Sequence, residues 1–276
     1  MSGPGDVEGT AQGSGRVATA TGTDDFWAPL RGSTRSRIGL GRAGDALPTR
    51  EVLALRSAHA VARDAVHLPW DADALEAGLA PLGLPVHRVH SAAVDRAEYL
   101  RRPDLGRRPV SLDGVPGAAP GSYDVAIVLA DGLSARAQDD HGATLTRVLV
   151  DSLTAVGLTL APLVLAEQSR VGLGDHVGAH LGATAVVVVI GERPGLSVAD
   201  SLGLYLTHRP RPGRRDSERN CISNVHPPDG LSYERAAQVL TALVLGAREL
   251  GESGVRLKDV GPALSTDDLG LVDPAL

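Results

Sequence analysis

The stretch Ala183-Thr-Ala-Val-Val-Val-Val-Ile190 is the strongest indication of the architecture of this chain. It is almost wholly apolar and shows no polar alternation, so it is predicted to be a strand with both faces buried. Strands of this kind are typical of parallel sheets that carry helices on each side. The stretch is far shorter than the ~20 apolar residues that cross a bilayer, so we expect no membrane span.

Segments on both sides of this strand alternate between strand and helix patterns. The alternation predicts an α/β protein with a Rossmann-like parallel sheet that has helices on both faces. Ser232 is a suitable cap for the last and longest helix, which is expected to end at Leu250. The other strands are expected at residues 123–130, 158–165 and 201–207, and the other helices before Val156 and at residues 175–181.

Upstream of the sheet, the sequence is predicted to be mainly helical. Thr49 is a plausible N-cap for a helix that ends at His67, and shorter helices fit residues 73–80 and 94–101. Residues 103–122 are rich in proline and glycine, which marks a boundary. The chain is therefore divided, in order, into a flexible tail (1–34), a helical N-terminal region (35–110), an α/β domain (111–260) and an irregular C-terminal tail (261–276).

Composition argues against several classes of protein. The formal net charge is −6 and no basic stripe is interleaved with aromatic residues, which argues against a nucleic-acid groove. A single cysteine cannot form an intramolecular disulfide. Residues 1–24 are dominated by Gly, Ala, Ser and Thr, so they lack the apolar middle of a secretion signal. We expect a soluble protein of the cytoplasm.

Polar loops follow the predicted strands, and one of them, Asp216-Ser-Glu-Arg-Asn-Cys-Ile-Ser-Asn-Val225, surrounds the only cysteine. In open α/β sheets such loops share one edge, where ligands bind. This rule places Val171, Glu192 and Cys221 on one side of the sheet, although they are distant in sequence. The pattern therefore predicts a ligand site without naming the ligand.

Two other patterns suggest different ligands. Gly39-Leu-Gly-Arg-Ala-Gly44 matches the dinucleotide fingerprint G-x-G-x-x-G, but the residues before it are polar and turn-like where the fingerprint needs a strand. These glycines are expected to let a loop pass close to another backbone. His176 and His180 lack the glutamate that would complete a zincin motif, so no metal site is predicted.

Two residues of the predicted site each have two possible roles. Cys221 is either a nucleophile with a histidine such as His226 as its base, or a small residue that packs against a ligand. Glu192 is either half of a salt bridge, most simply with Arg193, or an acceptor for ligand amides. The residues alone do not decide between the two roles in either case.

Seven segments, in order along the chain, carry a family resemblance. They are Arg37-Ile-Gly-Leu-Gly-Arg-Ala-Gly44 with Leu47-Pro-Thr-Arg50, His59-Ala-Val-Ala-Arg-Asp-Ala-Val66, Asp95-Arg-Ala-Glu-Tyr-Leu-Arg-Arg-Pro-Asp-Leu-Gly106, Ala130-Asp-Gly-Leu-Ser134, Arg170-Val-Gly-Leu-Gly-Asp175, Gly191-Glu-Arg-Pro-Gly195 and Glu218-Arg-Asn-Cys-Ile-Ser-Asn224. Together they resemble the small (light) subunit of ethanolamine ammonia-lyase over most of the chain. Each segment alone is a weak signal, whereas seven in order are specific.

The resemblance implies an adenosylcobalamin-dependent carbon–nitrogen lyase that works as a hetero-oligomer. In this family a separate large subunit holds the substrate and most catalytic groups, and the small subunit closes over the cofactor. The family's cobalamin contacts fall on Val171, Glu192 and Cys221, and no catalytic residue or metal ligand is expected in this chain. The implied reaction begins with homolysis of the cobalt–carbon bond and converts ethanolamine to acetaldehyde and ammonia by a radical route.

The form of the cofactor and the location of the protein follow from two further features. Asp139-Asp-His-Gly-Ala-Thr144 is similar to the D-x-H-x-x-G signature of base-off cobalamin proteins, but Thr144 replaces the final glycine, so base-on adenosylcobalamin is expected. The family is associated with bacterial microcompartments, yet the N-terminal tail is no evident amphipathic helix for encapsulation. Two different functions stay open: a stand-alone α/β enzyme that uses Cys221 or a nucleotide, and a non-catalytic assembly protein.

Overall fold

The computed structural model describes residues 26–258. Residues up to Gly41 belong to a different compact unit from the one that begins at Arg42. In the first unit, α1 (Ala28–Ser33) precedes a loop in which Arg31 donates to the Gly39 carbonyl at 2.8 Å. Helix α1 lies within the predicted flexible tail, whose first 25 residues are outside the described range, as is the predicted C-terminal tail.

The second unit is built on one six-stranded sheet. In space the strands follow the order β1-β3-β2-β4-β5-β6. The first four are parallel to one another, β5 is antiparallel to β4, and β6 is antiparallel to β5. The strands are β1 (Val86–His90), β2 (Tyr123–Ala130), β3 (Leu163–Glu167), β4 (Ala183–Gly191), β5 (Leu202–His208) and β6 (Asn220–Val225).

In the described part of this unit, seven α-helices surround the sheet or lead into it. They are α2 (Thr49–His67), α3 (Ala72–Leu79), α4 (Arg96–Arg101), α5 (Ala135–Ala137), α6 (Ala143–Ala155), α7 (Leu173–His180) and α8 (Tyr233–Leu250). A π-helical turn, Gln138–Gly142, joins α5 to α6. None of the helices between residues 26 and 258 combines the length and the apolar character that crossing a membrane requires.

Both faces of the sheet are covered, as the side chains of β4 demonstrate. Val187 and Val189 belong to a core that includes residues of α3, α6 and α8. Val186 and Val188 point the other way, into a second core that includes residues of α7. This alternation confirms the prediction of an α/β protein whose central strand is buried on both faces by helices.

Of the two predicted helix caps, one is confirmed and one is wrong. Ser232 accepts a hydrogen bond from the Arg235 N–H (3.2 Å), which confirms the predicted cap of α8. The prediction that Thr49 caps α2 is wrong. Pro48 occupies the cap position and Thr49 is the first helical residue. Proline has no side-chain acceptor, so this helix begins without a side-chain cap.

Three strand predictions need correction. Strand β1 was not predicted, because two histidines and an arginine among its five residues conceal a half-buried strand. Strand β6 was predicted to be a loop, because its polar residues obscure the pairing with β5. The expectation of a parallel strand is wrong for β5, because its connection to β4 is shorter than the crossover of a dozen or more residues that a parallel neighbour requires. Strand β6 is antiparallel to β5 for the same reason.

The topology places a crevice at the carboxyl ends of the parallel strands. The segment after β2 leads to α6, which packs on one face, and the segment after β3 leads to α7, which packs on the other. When the connections after two neighbouring strands lead to opposite faces of an open α/β sheet, a crevice forms between the strand ends, and ligands bind in it.

Candidate functional site

A cavity of about 590 Å³ lies in this crevice. Its wall combines apolar side chains with charged ones, which is the usual composition of a ligand pocket. The wall consists of Tyr99, Arg107, Leu133, Arg170, Val171, Ile190, Gly191, Glu192, Arg193, Tyr205 and Asp216.

Tyr99 is the buried support of one side of the cavity. Its side chain is fully buried, and its hydroxyl donates to the Ser169 carbonyl at 3.1 Å. The guanidinium of Arg96 lies 4.8 Å from the ring centroid and that of Arg170 lies 4.2 Å from it. Cation–π contacts of this kind are stronger when desolvated. Tyr99 therefore fixes Arg170 at the cavity wall.

Asp131 ties together the segments that follow β2 and β3. Its carboxylate accepts hydrogen bonds from the backbone N–H groups of Gly132 (2.8 Å), Gln168 (2.9 Å) and Ser169 (2.9 Å). Arg96 approaches it at 3.4 Å. Burial raises the pKa of Asp131 to about 6, although the N–H groups and Arg96 favour its anion. The segment that leads to Arg170 and Val171 thus depends on a buried carboxylate.

A titration midpoint near pH 6 is expected for Asp131 in the folded protein. Because the unfolded carboxyl titrates near 3.8, the folded state binds more protons between these values. The contribution of this group to the free energy of unfolding therefore falls by about 3 kcal/mol as the pH rises through that window. Carboxyl-carbon NMR measures the midpoint directly.

Asp124 provides the control in the same spectra. Burial raises the pKa of Asp124, but hydrogen bonds from Thr159 and Arg248 outweigh burial and hold the pKa below 3.8. A midpoint for Asp131 as low as that of Asp124 would show that its hydrogen bonds outweigh its burial.

Glu192 follows β4 directly and is oriented by neighbouring strands. Its Oε2 accepts hydrogen bonds from the Ser201 hydroxyl (2.7 Å) and the Asn224 N–H (3.1 Å). Its Oε1 accepts none from residues 26–258, and Arg193 forms no ion pair with it. The interpretation of Glu192 as half of a salt bridge with Arg193 is therefore wrong. One carboxylate oxygen stays available as an acceptor.

Cys221 borders the cavity through Tyr205. The two residues are directly paired across β6 and β5, so their side chains lie on the same face of the sheet. Burial, followed by the neighbouring thiol, raises the pKa of the Tyr205 phenol above its usual range. The exposed thiol also lies 3.3 Å from the Ser223 hydroxyl. Cys221 is not itself part of the wall.

Val171 lies in the turn between β3 and α7. Its half-buried side chain packs against the core on the α7 face. Its backbone N–H donates to no atom of the described residues. The preceding Arg170 N–H donates to the Gly106 carbonyl at 2.8 Å, which fixes the turn against the start of the Pro/Gly-rich segment.

The structure brings the three predicted residues together around one space. Val171 and Glu192 are wall residues, and Cys221 contacts the wall at Tyr205. The rule that loops after parallel strands share an edge holds for Val171 and Glu192, whereas Cys221 lies within the antiparallel strand β6 and not in such a loop. Their role in binding a cofactor stays a prediction.

The dinucleotide fingerprint lacks its structural context. Between residue 26 and Gly39 the chain forms no strand, and a single bridge joins Ala43 to Ala46. Gly39 has a φ of +57°, and a Cβ there would overlap the Trp27 ring. Gly39 thus allows the loop to pass close to the Trp27 side chain, and not to another backbone as predicted. The strand that the fingerprint needs before its first glycine is therefore missing from the described residues.

The histidines that could act as a base for Cys221 or as zinc ligands contact neighbouring oxygen atoms. His180 Nε2 lies 2.8 Å from the Val115 carbonyl oxygen, and His226 Nε2 lies 2.8 Å from Asn224 Oδ1. In the described part of the chain no cluster of three or more His, Cys, Asp or Glu side chains could hold a metal ion.

Nine of the eleven wall residues were not predicted as site residues, and they include Tyr99, Arg107, Arg170, Tyr205 and Asp216. Tyr99 and Arg107 come from the region that was predicted to form a separate, helical part. The available signal was that Tyr99 is one of only four tyrosines and stands in an arginine-rich segment. Its packing against a loop 70 residues away is not visible in sequence.

The fold and the cavity define an α/β protein with a candidate ligand site at the carboxyl ends of the parallel strands of its sheet. Residues 24–258 match the family model "Ethanolamine ammonia-lyase light chain (EutC)". The chain belongs to this family and is a lyase subunit.

Curated relatives agree with the family model. Each is named ethanolamine ammonia-lyase small subunit. The protein of Rhodococcus erythropolis is 55% identical over 242 residues, which cover 87% of this chain and 92% of the relative. The protein of Ralstonia nicotianae is 52% identical, with 87% and 90% covered, and that of Azotobacter vinelandii is 49% identical, with 90% and 93% covered.

Proposed function

We propose that this chain is the small subunit of an adenosylcobalamin-dependent ethanolamine ammonia-lyase and that it closes the cofactor site of a large subunit. The observation that carries the proposal is the convergence of Val171, Glu192 and the Tyr205–Cys221 pair on one cavity. Relatives about 50% identical over most of their length are named for ethanolamine, which supports the substrate.

The residues of the cavity fit a corrin. The periphery of a corrin carries amide side arms, and Glu192 Oε1 is an acceptor without a partner in the described residues, held in place through Oε2. Leu133, Val171 and Ile190 supply apolar contact for the ring. Tyr205 and the polarizable thiol of Cys221 extend this surface along β5 and β6.

The work of this chain is binding, orientation and exclusion of water. When bound, adenosylcobalamin supplies the carbon radical that removes hydrogen from the substrate. The cavity wall shields that chemistry from solvent on one side, which is the general service of a subunit that closes over a reactive intermediate. No group of this chain is assigned a proton-transfer role.

The arrangement around His141 supports the base-on form. His141 Nδ1 lies 2.8 Å from the Tyr233 hydroxyl, in the π-helical turn before α6. His141 is not among the residues of the cavity wall. It is therefore poorly placed to replace the lower base of a cobalamin bound in that cavity. Action in the cytoplasm, inside or outside a microcompartment, is part of the same proposal.

Glu192→Gln tests the proposal. In this variant the amide oxygen can still accept from the Ser201 hydroxyl and the Asn224 N–H, which turns the NH2 group toward the cavity in place of the Oε1 acceptor. Cyanocobalamin should therefore bind about tenfold more weakly to the complex of this chain with its large subunit. Cys221→Ala is expected to weaken binding less, because it removes one contact at the border. Visible absorbance on titration measures the affinity.

Glu249→Gln, at an exposed position of α8, is the matched control and should bind like the wild type. The isolated chain should show no turnover of ethanolamine with the cofactor. Unchanged affinity in both the Glu192 and the Cys221 variants removes these residues from the site. Turnover by the isolated chain would favour a stand-alone enzyme.

A further inference from the structure

The charges on the cavity wall are not balanced. Arg107 is paired with Asp216, with Nη2 and Oδ1 3.0 Å apart. The carboxylate of Glu192 accepts only from a hydroxyl and a backbone N–H. Arg170 and Arg193 form no ion pair with any residue in the described range. The wall therefore presents two guanidinium groups without an acidic partner.

Arg170 leaves most of its hydrogen-bonding capacity unused. Its Nη2 reaches the Tyr99 carbonyl only at 3.4 Å, and its Nε is buried without a partner among residues 26–258. Of the residues with such buried unpartnered atoms, Arg170 alone belongs to this cavity wall. Buried polar atoms are nearly always hydrogen-bonded, and each exception needs an explanation. A bound anion would balance the charge of this guanidinium and accept its unused hydrogen bonds.

Arg193 supplies the second cation. It follows Glu192 at the end of β4, is exposed, and makes no hydrogen bond within the described residues. An arginine held free beside a fixed carboxylate presents its guanidinium to whatever occupies the cavity. Neutral amides of a ligand would occupy Glu192 but would leave both arginines without a counter-charge.

We propose that Arg170 and Arg193 bind the phosphodiester of the nucleotide loop of cobalamin, while Glu192 accepts hydrogen bonds from the amide side arms. The inference rests on the proposed function and adds a separate subsite to it. A guanidinium offers planar, paired N–H donors that match phosphate oxygens. The phosphodiester is the anionic group of this ligand, so it is the group that two unpaired cations select.

Two corrins separate this subsite from the rest of the cavity. Cyanocobalamin contains the nucleotide loop, and dicyanocobinamide is a corrin that lacks the loop and its phosphodiester. Binding of each is titrated to the purified complex of this chain and its large subunit. Arg193→Gln is expected to weaken cyanocobalamin about tenfold, which is the loss of one charged hydrogen bond, and to change cobinamide binding less than about twofold.

Arg170→Gln is the second variant and should show the same selective loss. It also removes the stacking on Tyr99, so its folding is checked by thermal unfolding of the complex. If it fails to fold, Arg193→Gln still decides the question, because that side chain is exposed. Arg147→Gln, an exposed arginine of α6, controls for a general loss of positive charge and should bind both corrins like the wild type.

The outcomes are distinct. Selective loss of cyanocobalamin binding supports the subsite. Equal losses for both corrins, or no loss for cyanocobalamin, overturn it while leaving the cobalamin proposal intact. Failure of the wild-type complex to bind either corrin overturns the proposed function itself.

Discussion

Replacing Arg219 by methionine is expected to lower the free energy of unfolding by about 3–5 kcal/mol. The Arg219 side chain is 1% exposed and makes a bidentate ion pair with Asp175, at 2.6 and 2.7 Å. It also donates to the Thr207 hydroxyl and the Arg214 carbonyl. Methionine would leave Asp175 as a buried carboxylate without its partner, which is the costly way to break such a pair.

Chemical denaturation of single and double variants measures this effect. Asp175→Leu alone should cost a similar amount, because the only ion pair left to the buried guanidinium among the described residues is its 3.3 Å contact with the exposed carboxylate of Asp216. The double variant, Arg219→Met with Asp175→Leu, is expected to recover most of the loss, since apolar replacement of both partners is often close to neutral. Arg211→Met, at an exposed position of the same segment, should change stability by no more than about 0.5 kcal/mol.

A loss below about 1 kcal/mol for the Arg219 variant would contradict this assignment. So would a double variant as unstable as the sum of the two single variants, because the residues would then act independently.

This ion pair joins two segments of the proposed cofactor site. Asp175 lies in the first turn of α7, shortly after Val171, and Arg219 directly precedes β6, which carries Cys221. The pair therefore holds the two segments in register with each other. Cofactor affinity is expected to fall with stability in the single variants.

The central part of the fold was predictable because burial leaves a strong mark on composition. The valine-rich β4 has no polar residue in its middle, so no other element fits it. The edges of the sheet carry weaker signals. In β1 and β6, exposed positions accept histidine, arginine, asparagine and serine, and the strand pattern is lost among them. Pairing with a neighbour, and not local preference, makes these segments strands.

The edge of the sheet at which the candidate site lies was also predictable. The long-range contacts that hold the residues of the site in place were not. The rule for parallel strands needs only the order of strands and helices, so it placed Val171 and Glu192 correctly at one end of the sheet. Contacts such as Arg219 with Asp175, 44 residues apart, depend on how the chain packs. The position of Tyr99 in the cavity wall depends on packing in the same way, because Tyr99 lies outside the predicted α/β domain in sequence.

Gly191→Ala is expected to lower the free energy of unfolding by about 3 kcal/mol and to abolish tight cobalamin binding. Gly191 ends β4, and a Cβ at this position would overlap the carbonyl oxygens of Ser134 and Asp131. These are backbone atoms of the segment after β2, so they cannot move aside as a flexible side chain can. The Leu133 N–H also donates to the Gly191 carbonyl at 3.0 Å. The two segments therefore touch through their backbones.

Relief of this overlap requires the ends of β2 and β4 to separate. Glu192 is the next residue, and its hydrogen bonds to Ser201 and Asn224 would lengthen as β4 shifts. Denaturation measures the stability and cyanocobalamin titration of the complex measures the binding. Gly114→Ala is the control, because no atom lies within 4 Å of its added Cβ. A Gly191 variant that keeps both wild-type stability and wild-type affinity would show that the strand ends tolerate separation. The close backbone contact would then have no part in shaping the cavity.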